Sequence, residues 1–421
     1  MKNRKVDRRT FIKGAGAGLA LSTLGFPQIV KSATKLDEVP IAIVIPLTGS
    51  TGSFGQNEVR GWEIAVDEIN GAGGVKSLGG AKIKTVLRDT QGTPRIGMAE
   101  VEKVAQDKSV PLMIGCWASA VTYPASQVSE QYGLPHLIDM SSQADILRRG
   151  FKYVFRMIAD SDRMAGRMVE YAEDMSKRTG QVAKRAALIS VDDNFGRSSA
   201  TSIKEAIKKT KQEVVEELYV PGKVTNVDVE IAKIKAAKPD VLYLTNFLTD
   251  SVLVTRALYA QKVDVLGYVT FSAGFGQPEY LDMVGNLANY ICNISYFDHD
   301  MNRPMDKEFE AKMMKRFNVH ANHFSASLYA LGYMVKDVLE RAGTIDRVKV
   351  RDAIAATNIT SGPALMMPGK SIRFDEKGEN IGAAPLIIQC LEKKWHTVWP
   401  YDWPRQFDPV WPIPKWETRK I

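Results

Sequence analysis

The chain has 421 residues, of which 45% are hydrophobic and 25% are charged, a composition that is ordinary for a globular protein. Its formal net charge is +8, but several basic residues fall near the N-terminus, so the rest of the chain is only mildly basic. Lysines and arginines are interspersed with acids along the predicted helices, which disfavours a nucleic-acid-binding surface. A chain of this length predicts two domains.

The N-terminal segment has the features of an export signal. Arg8 and Arg9 are followed by an apolar pair and Lys13, and then by a weakly apolar, glycine-rich run at 14–26. This order resembles a bacterial twin-arginine signal peptide, and the run is shorter than the roughly 20 apolar residues of a membrane-spanning helix. We therefore predict a signal at 1–33, export by the twin-arginine (Tat) machinery and a periplasmic location. Cleavage stays open, because a lysine fits poorly at the third position before the predicted cut.

After this segment, strand and helix patterns alternate along the chain. Apolar runs predict buried strands at 41–45, 82–87, 110–115, 135–138, 186–191, 214–219, 241–245, 265–270 and 290–295. Helical periodicity predicts helices at 61–70, 96–107, 125–132, 163–177, 198–210, 227–237 and 251–260. Such alternation is typical of parallel sheets that are covered by helices on both faces. The two series predict an α/β fold with two Rossmann-like lobes and parallel-rich sheets.

Polar and aromatic residues recur where the predicted strands end. Ligand sites of parallel sheets lie outside the carboxyl ends of the strands. Hydroxyls and free N–H groups at helix N-termini bind carboxylates there, and aromatic rings supply an apolar wall. Helix capping would explain one such loop, but six loops at one edge favour a ligand cleft. The candidate ligand-binding residues in these loops are Phe54, Ser119, Met140, Ser141, Ser142, Phe195, Phe247 and Ser272.

No persuasive catalytic or metal-binding set is present in the sequence. It contains no Gly-x-Ser-x-Gly elbow and no phosphate-binding loop. His320 and His323 could share a helix face, but zinc needs a third or fourth ligand. Cys116, Cys292 and Cys390 lack metal-type spacing and are interpreted as buried free thiols, although an exported protein permits one disulfide. We predict a protein that is not an enzyme and that needs no cofactor and no metal.

The C-terminal segment at 395–416 is dense in tryptophan and proline. Proline excludes a regular helix. The segment is interpreted as an extended strap that packs over the second lobe, with a partner-binding segment as the less favoured alternative.

The ordered series of motifs resembles the leucine/isoleucine/valine-type periplasmic binding proteins, the solute receptors of ATP-driven (ABC) amino-acid importers. The resemblance rests on their order, not on any one of them, and it covers the chain from about residue 38 onward. The motifs that carry it are 46–49, 61–74, 89–94, 114–126, 194–196 and 372–378.

The resemblance implies a type I periplasmic-binding fold, in which two α/β lobes are joined by a three-strand hinge. By this resemblance the first lobe comprises 37–160 plus 295–375, and the second comprises 161–294 plus 376–421. Ligand binding would close the lobes about the hinge, and the closed form would dock on the ABC permease subunits in the membrane. A monomer is expected.

The resemblance also implies roles for the candidate residues. In the first lobe, Ser119 matches the hydroxyl donor to the ligand carboxylate, Met140 and Ser142 match backbone and hydroxyl contacts, and Phe54 matches a wall residue. In the second lobe, Phe195 and Phe247 match aromatic residues that cover the ligand. A further position of that site falls near His323.

One departure from the family concerns the ligand. Amino-acid receptors of this kind carry an acid near 270–273 that pairs with the ligand ammonium, and this chain has none there. A buried ammonium without a charged partner is costly, so Asp193 or Asp250 would have to substitute. We predict a receptor for a small hydrophobic amino acid or related carboxylate. The alternatives are a receptor for an aromatic acid, an amide or a urea-like solute, and a ligand-sensing domain. The aromatic side chains of Trp117 and Phe271 would suit an apolar ligand.

Overall fold

The computed structural model describes residues 36–222, 224–403 and 407–419. Arg8 and Arg9, together with the predicted export signal at 1–33, lie outside the described residues. No helix in the described part of the chain has both the length and the apolar character that crossing a membrane requires.

Strands and helices alternate through most of the described chain. The strands are β1 (Glu38–Ile45), β2 (Lys82–Asp89), β3 (Met113–Gly115), β4 (His136–Ile138), β5 (Val154–Arg156), β6 (Arg185–Val191), β7 (Glu213–Val220), β8 (Val241–Thr245), β9 (Gly267–Thr270), β10 (Ile291–Ser295), β11 (Asn358–Ile359), β12 (Ile372–Arg373), β13 (Leu386–Leu391) and β14 (Lys394–Trp399). The α-helices are α1 (Gly52–Gly71), α2 (Pro94–Gln106), α3 (Ser119–Gln131), α4 (Ser161–Thr179), α5 (Asn194–Ile207), α6 (Asp228–Ala237), α7 (Leu248–Ala260), α8 (Pro278–Val284), α9 (Pro304–Phe317), α10 (His323–Ala342) and α11 (Arg347–Ala355).

The strands form two main sheets. The first has the order β2-β1-β3-β4-β5 and is parallel throughout. The second has the order β14-β13-β10-β9-β8-β6-β7, with β10 to β7 parallel. Both sheets match the predicted α/β class. Their central strands are apolar because helices cover both faces of a parallel sheet.

The edge of the second sheet is antiparallel. β13 and β14 form a hairpin whose two turn residues, Glu392 and Lys393, both have positive φ angles, 53° and 62°. Two central residues with positive φ match the right-handed twist of the paired strands. A direct hairpin of this kind makes the strands antiparallel, whereas each parallel pair needs a crossover helix.

Three segments connect the two halves of the molecule: 157–160 leads from β5 toward the second sheet, 296–303 leads from β10 to helices α9–α11, of which α10 packs on α1, and 374–385 leads from β12 back to β13 in the second sheet. These passages follow β5, β10 and β12. Such an arrangement, with two parallel-rich sheets joined by three segments, is the fold that the resemblance implied.

Helix α1 begins about nine residues earlier than the hydrophobic pattern predicts, so that Phe54 lies in its first turn. Two glycines of α1 serve close packing. A Cβ atom on Gly55 would lie 1.9 Å from the carbonyl oxygen of Pro46, and one on Gly61 would lie 1.8 Å from that of Ser325. Only glycine permits these approaches, the second of which brings α10 against α1.

The described part of the C-terminal segment packs as an extended strap on the second sheet. Ile413 donates its backbone N–H to Leu266 O, and Trp416 Nε1 donates to Val263 O at 2.9 Å. The side chains of Trp411 and Trp416 are buried. Cys116, Cys292 and Cys390 are free and buried, as the sequence indicated.

Candidate functional site

A cleft lies where the carboxyl ends of the strands of the two sheets meet. It holds about 420 Å³ of empty space, counting the mouth that opens to solvent. Its lining consists of Trp117, Ala118, Ser119, Met140, Ser142, Ile158, Met164, Phe195, Phe247, Phe271, Ser272, Ala273, Tyr296 and Phe324.

Trp117, Ser119, Met140 and Ser142 form what we call the first wall, which follows strands β3 and β4 of the first sheet. Ser119 is the first residue of α3, so its hydroxyl stands beside the free N–H groups of that helix terminus. Ser119 Oγ accepts a long hydrogen bond of 3.4 Å from the backbone N–H of Gln143. The first wall therefore presents hydroxyls and a helix N-terminus to the cleft.

Phe195, Phe247, Phe271 and Ser272 form the second wall, which follows strands β6, β8 and β9 of the second sheet. The rings of Phe195 and Phe247 are stacked with centroids 5.6 Å apart, and Phe271 meets Phe195 edge-on at 5.7 Å. Phe247 also meets Trp117 of the first wall at 5.8 Å. Aromatic contacts of this kind join the two walls.

Two of the predicted residues lie one layer behind the lining. Phe54 is fully buried and packs on the inner face of Trp117, with ring centroids 4.1 Å apart. Ser141 donates its hydroxyl proton to Trp117 O at 2.7 Å and also contacts Thr122 Oγ1, so its side chain points into the first lobe. Both residues support Trp117 and do not face the cleft. The other six, Ser119, Met140, Ser142, Phe195, Phe247 and Ser272, are brought together in the lining.

Four lining residues lie outside the six strand-end loops considered in the sequence: Ile158, Met164, Tyr296 and Phe324. Tyr296 directly follows the last residue of β10, so the same strand-end rule would have found it. The other three belong to a crossover, to α4 and to α10, and no local pattern marks them.

His323 orients Ser272 from behind the second wall. Its Nε2 lies 3.1 Å from Ser272 Oγ and its Nδ1 lies 3.3 Å from Ser295 Oγ. Burial lowers the pKa of His323 to about 3, so the imidazole is neutral at physiological pH. The two histidines considered for a metal do not act together, because His320 pairs with Glu310 instead. Among the described residues, no group of three metal-ligating side chains is suited to a metal ion.

Asp193 and Asp250, the acids that could have paired with a ligand ammonium, are not in the lining. Asp193 caps α5 by accepting a hydrogen bond from the backbone N–H of Gly196 at 2.9 Å. Asp250 lies in the first turn of α7 with 3% of its surface exposed, and burial, reinforced by the charge of Asp193, raises its pKa to about 6.

A second buried acid pair, Glu58 and Asp139, lies behind the first wall. Burial raises the pKa of Glu58 well above its usual range, and the neighbouring charge of Asp139 adds to the shift. Burial also raises the pKa of Asp139, whose Oδ1 accepts a hydrogen bond from the backbone N–H of Trp117 at 3.0 Å. This pair holds the loop that carries Trp117 and leaves no charge on the surface of the cleft.

A buried hydrogen bond also joins α1 to the segment before α8, across the cleft. Asn57 of α1 donates from Nδ2 to Oε1 of Gln277, the residue before α8, at 3.0 Å. Both side chains are buried, and 220 positions separate them in the chain. The bond exists only while the elements of the two sheets stand close together.

Two parallel-rich sheets, three connecting segments and a cleft at the facing strand ends define a type I solute-binding protein. The chain belongs to the periplasmic binding protein family, whose sequence profile matches residues 38–388. Members of this family and fold are substrate-binding receptors rather than enzymes, and the family's place of action is extracytoplasmic.

The similarity extends over most of the chain. The Leu/Ile/Val-binding protein homolog 3 of Brucella melitensis is 26% identical over 359 residues, which is 85% of this chain and 91% of the relative. The structure of the branched-chain amino-acid binding protein LivJ of Streptococcus pneumoniae, solved with isoleucine, aligns with a TM-score of 0.74 at 19% identity and covers 85% of this chain and 97% of that one. A solute-binding protein of R. palustris, solved with benzoate, has a TM-score of 0.74 at 16% identity and covers 86% and 95% of the two chains.

Proposed function

We propose that this protein is the extracytoplasmic receptor of an ABC importer. It captures a small hydrophobic amino acid or a related carboxylate in the cleft and delivers the ligand to a membrane permease. The observation that carries the proposal is the division of the cleft into a first wall that carries the hydroxyls of Ser119 and Ser142 and a second wall that carries three phenylalanine rings. The hydroxyl side suits a carboxylate, and the aromatic side suits an apolar body.

The binding roles follow from this division. Ser119 and Ser142 hold the ligand carboxylate, Met140 lines the first wall beside them, and Phe195, Phe247 and Ser272 close over the ligand from the second. Phe54 and Ser141 act by holding Trp117 in place. The lobes at 37–160 plus 295–375 and at 161–294 plus 376–421 open and close about the three connecting segments. The Asn57–Gln277 bond forms on closure.

A ligand without an amino group is the second candidate. It is favoured by the lining, in which none of the fourteen described residues is acidic. The solved neighbours include proteins named with isoleucine and with benzoate, so the fold accommodates both kinds of ligand. A ligand-sensing role in place of transport would need the partner of the closed form to be a signalling protein instead of a permease.

A ligand screen tests the receptor assignment. The purified protein is titrated with aliphatic and aromatic amino acids, the corresponding acids, amides and ureas, and thermal unfolding is followed. A specific ligand stabilises the folded state by mass action, by about 2.7 kcal/mol at a concentration one hundred times Kd, and this stabilisation raises the melting temperature. Calorimetry then gives the stoichiometry, which we expect to be one. A protein that no compound in the panel stabilises would argue against a receptor for these solutes.

Export through the Tat machinery into the periplasm is proposed on the paired arginines and on the weakly apolar, glycine-rich run that follows them. Replacing both of them, Arg8→Lys with Arg9→Lys, should leave the full chain in the cytoplasm, because the receptor of that route reads the arginine pair. Cell fractionation measures the outcome, and Lys5→Arg serves as the control with unchanged charge. Wild-type levels of the double variant in the periplasm would show that another route is used.

A further inference from the structure

We propose that the cleft selects an apolar monocarboxylate that carries no ammonium group, such as an arylalkanoate or a branched-chain alkanoate. This inference rests on the proposed receptor function and narrows its substrate class. It is carried by the chemistry of the lining, by the helix termini that face it, and by one buried hydroxyl.

The first observation is the charge of the lining. Of the fourteen residues in the described chain that line the cleft, none is Asp, Glu, Lys or Arg. Of the acids nearby, Asp193 caps α5, Asp139 accepts from the backbone of Trp117, and Asp250 is buried outside the lining. A ligand ammonium would therefore be desolvated without an anionic partner, and burying an unpaired charge is costly.

The second observation is the orientation of α3. Its first residue, Ser119, lines the cleft, and its N-terminus has no side-chain cap and no acid in its first turn. The first N–H groups of a helix have no partner inside the helix, and this end carries a positive partial charge. The terminus therefore attracts a carboxylate and repels an ammonium group.

The third observation is the hydroxyl of Ser142, which belongs to the same wall as this terminus. Ser142 is 3% exposed, and its Oγ has no hydrogen-bond partner within the described ranges. A buried polar atom without a partner is unfavourable, so this hydroxyl points to a ligand atom. A hydroxyl could donate a hydrogen bond to a carboxylate or accept one from an ammonium group. The positive end of α3 and the absence of an acid in the lining both favour the carboxylate.

The remainder of the lining indicates that the part of the ligand beyond its carboxylate is apolar. Trp117, Phe195, Phe247 and Phe271 enclose it with aromatic faces and edges. Such a surface offers dispersion contacts but no partner for a second charge. A dicarboxylate or a sugar acid would bury additional polar groups for which this aromatic surface offers no hydrogen-bond partner.

Matched ligand pairs test the proposal by isothermal titration calorimetry at neutral pH. The pairs are phenylalanine with 3-phenylpropanoate, and leucine with 4-methylpentanoate. Comparing 3-phenylpropanamide with 3-phenylpropanoate shows how much the negative charge of the acid contributes to the affinity. We expect the acid of at least one pair to bind at least about tenfold more tightly than its amino acid and its amide. The two pairs also distinguish an aromatic from an aliphatic body.

Failure of this inference is distinguishable from failure of the receptor assignment. Binding of an amino acid as tight as that of its acid, or binding of the amide in place of the acid, would overturn the selectivity and leave the receptor function standing. If no member of the panel binds, both are overturned.

A variant pair adds an independent test. Ala273 lines the second wall with a positive φ of 46°, a conformation that Asp and Asn adopt more readily than most residues. In Ala273→Asp, the affinity for the amino acid relative to that for its acid should increase by about tenfold or more. In Ala273→Asn, whose side chain has nearly the same shape but no charge, this relative affinity should stay unchanged. Circular dichroism confirms that both variants fold, and an equal ratio in the two variants would refute the inference.

Discussion

The two walls of the cleft are built alike and differ in chemistry. Each consists of loops that run from the carboxyl end of a parallel strand to the N-terminus of a helix. The first wall carries the hydroxyls of Ser119 and Ser142, and the second carries the rings of Phe195, Phe247 and Phe271. The comparison teaches that one architecture, used twice, can divide recognition between a polar head group and an apolar body.

The same comparison extends to the layer behind each wall. Glu58 and Asp139 lie behind the first wall, and Asp193 and Asp250 lie behind the second. Burial raises the pKa of all four carboxyl groups. These acids therefore lie close to both walls but are not part of the lining, as expected for a ligand that needs no anionic partner.

The largest expected effect comes from breaking the aromatic contact between the walls. Phe247→Ala removes the ring that touches Trp117, Phe54 and Phe195. We expect ligand affinity to fall by about 2–4 kcal/mol, because central aromatic anchors dominate binding energies. Calorimetry measures the loss, with Phe407→Ala, a partly exposed ring on the C-terminal segment, as the control. Equal affinities of the two variants would show that the second wall is not a ligand surface.

The polar wall predicts a smaller loss that depends on the ligand. Ser119→Ala should weaken binding of a carboxylate ligand by roughly 1–3 kcal/mol, the cost of unpairing a buried charged group, and should change binding of the corresponding amide less. Calorimetry on both ligands gives the difference. An unchanged carboxylate affinity would remove Ser119 from the site.

The acid pair behind the second wall makes stability depend on pH. The pKa of Asp250 rises from 3.8 unfolded to about 6 folded, so the folded protein binds more protons and loses stability as pH rises through this interval. Asp250→Asn should therefore match the wild type near pH 4 and exceed its free energy of unfolding by on the order of 1–2 kcal/mol above pH 7. Urea unfolding at several pH values tests this, with the exposed Asp282→Asn as control. A variant that gains nothing at high pH would show that the carboxylate is stabilised by other means.

The smallest effect concerns the bond that spans the walls. Asn57→Ala should weaken ligand binding by about 0.5–1.5 kcal/mol, because the closed form loses a buried hydrogen bond that the open form lacks. A double-mutant cycle with Gln277→Ala isolates the pair. Additive losses in the double variant would mean that the two side chains contribute separately to binding.

Local sequence patterns predict the parts of the site that local structure builds. Ser119, Phe195 and Phe247 were found because each follows a recognisable strand and precedes a helix, and that order brings the residue to the ligand edge of a parallel sheet. The same rule could not separate lining residues from those behind them. Phe54 and Ser141 also follow strand ends, but Trp117 packs on the first and accepts a hydrogen bond from the second.

Contacts between distant parts of the chain could not be predicted in this way. Phe324 reaches the cleft because Gly61 allows α10 to approach α1 closely, a packing that no pattern near Phe324 indicates. The pairing of Asn57 with Gln277 likewise depends on how the two sheets come together.

By itself, the sequence determined the α/β class, the strand-end loops and the absence of an acid at 270–273, since periodicity and residue type are local properties. The tertiary structure alone decided which side chains face the cleft, which acids are paired behind it, and which hydrogen bonds join its two sides. These depend on packing between segments as many as 220 positions apart, where the distance along the chain carries no information about distance in space.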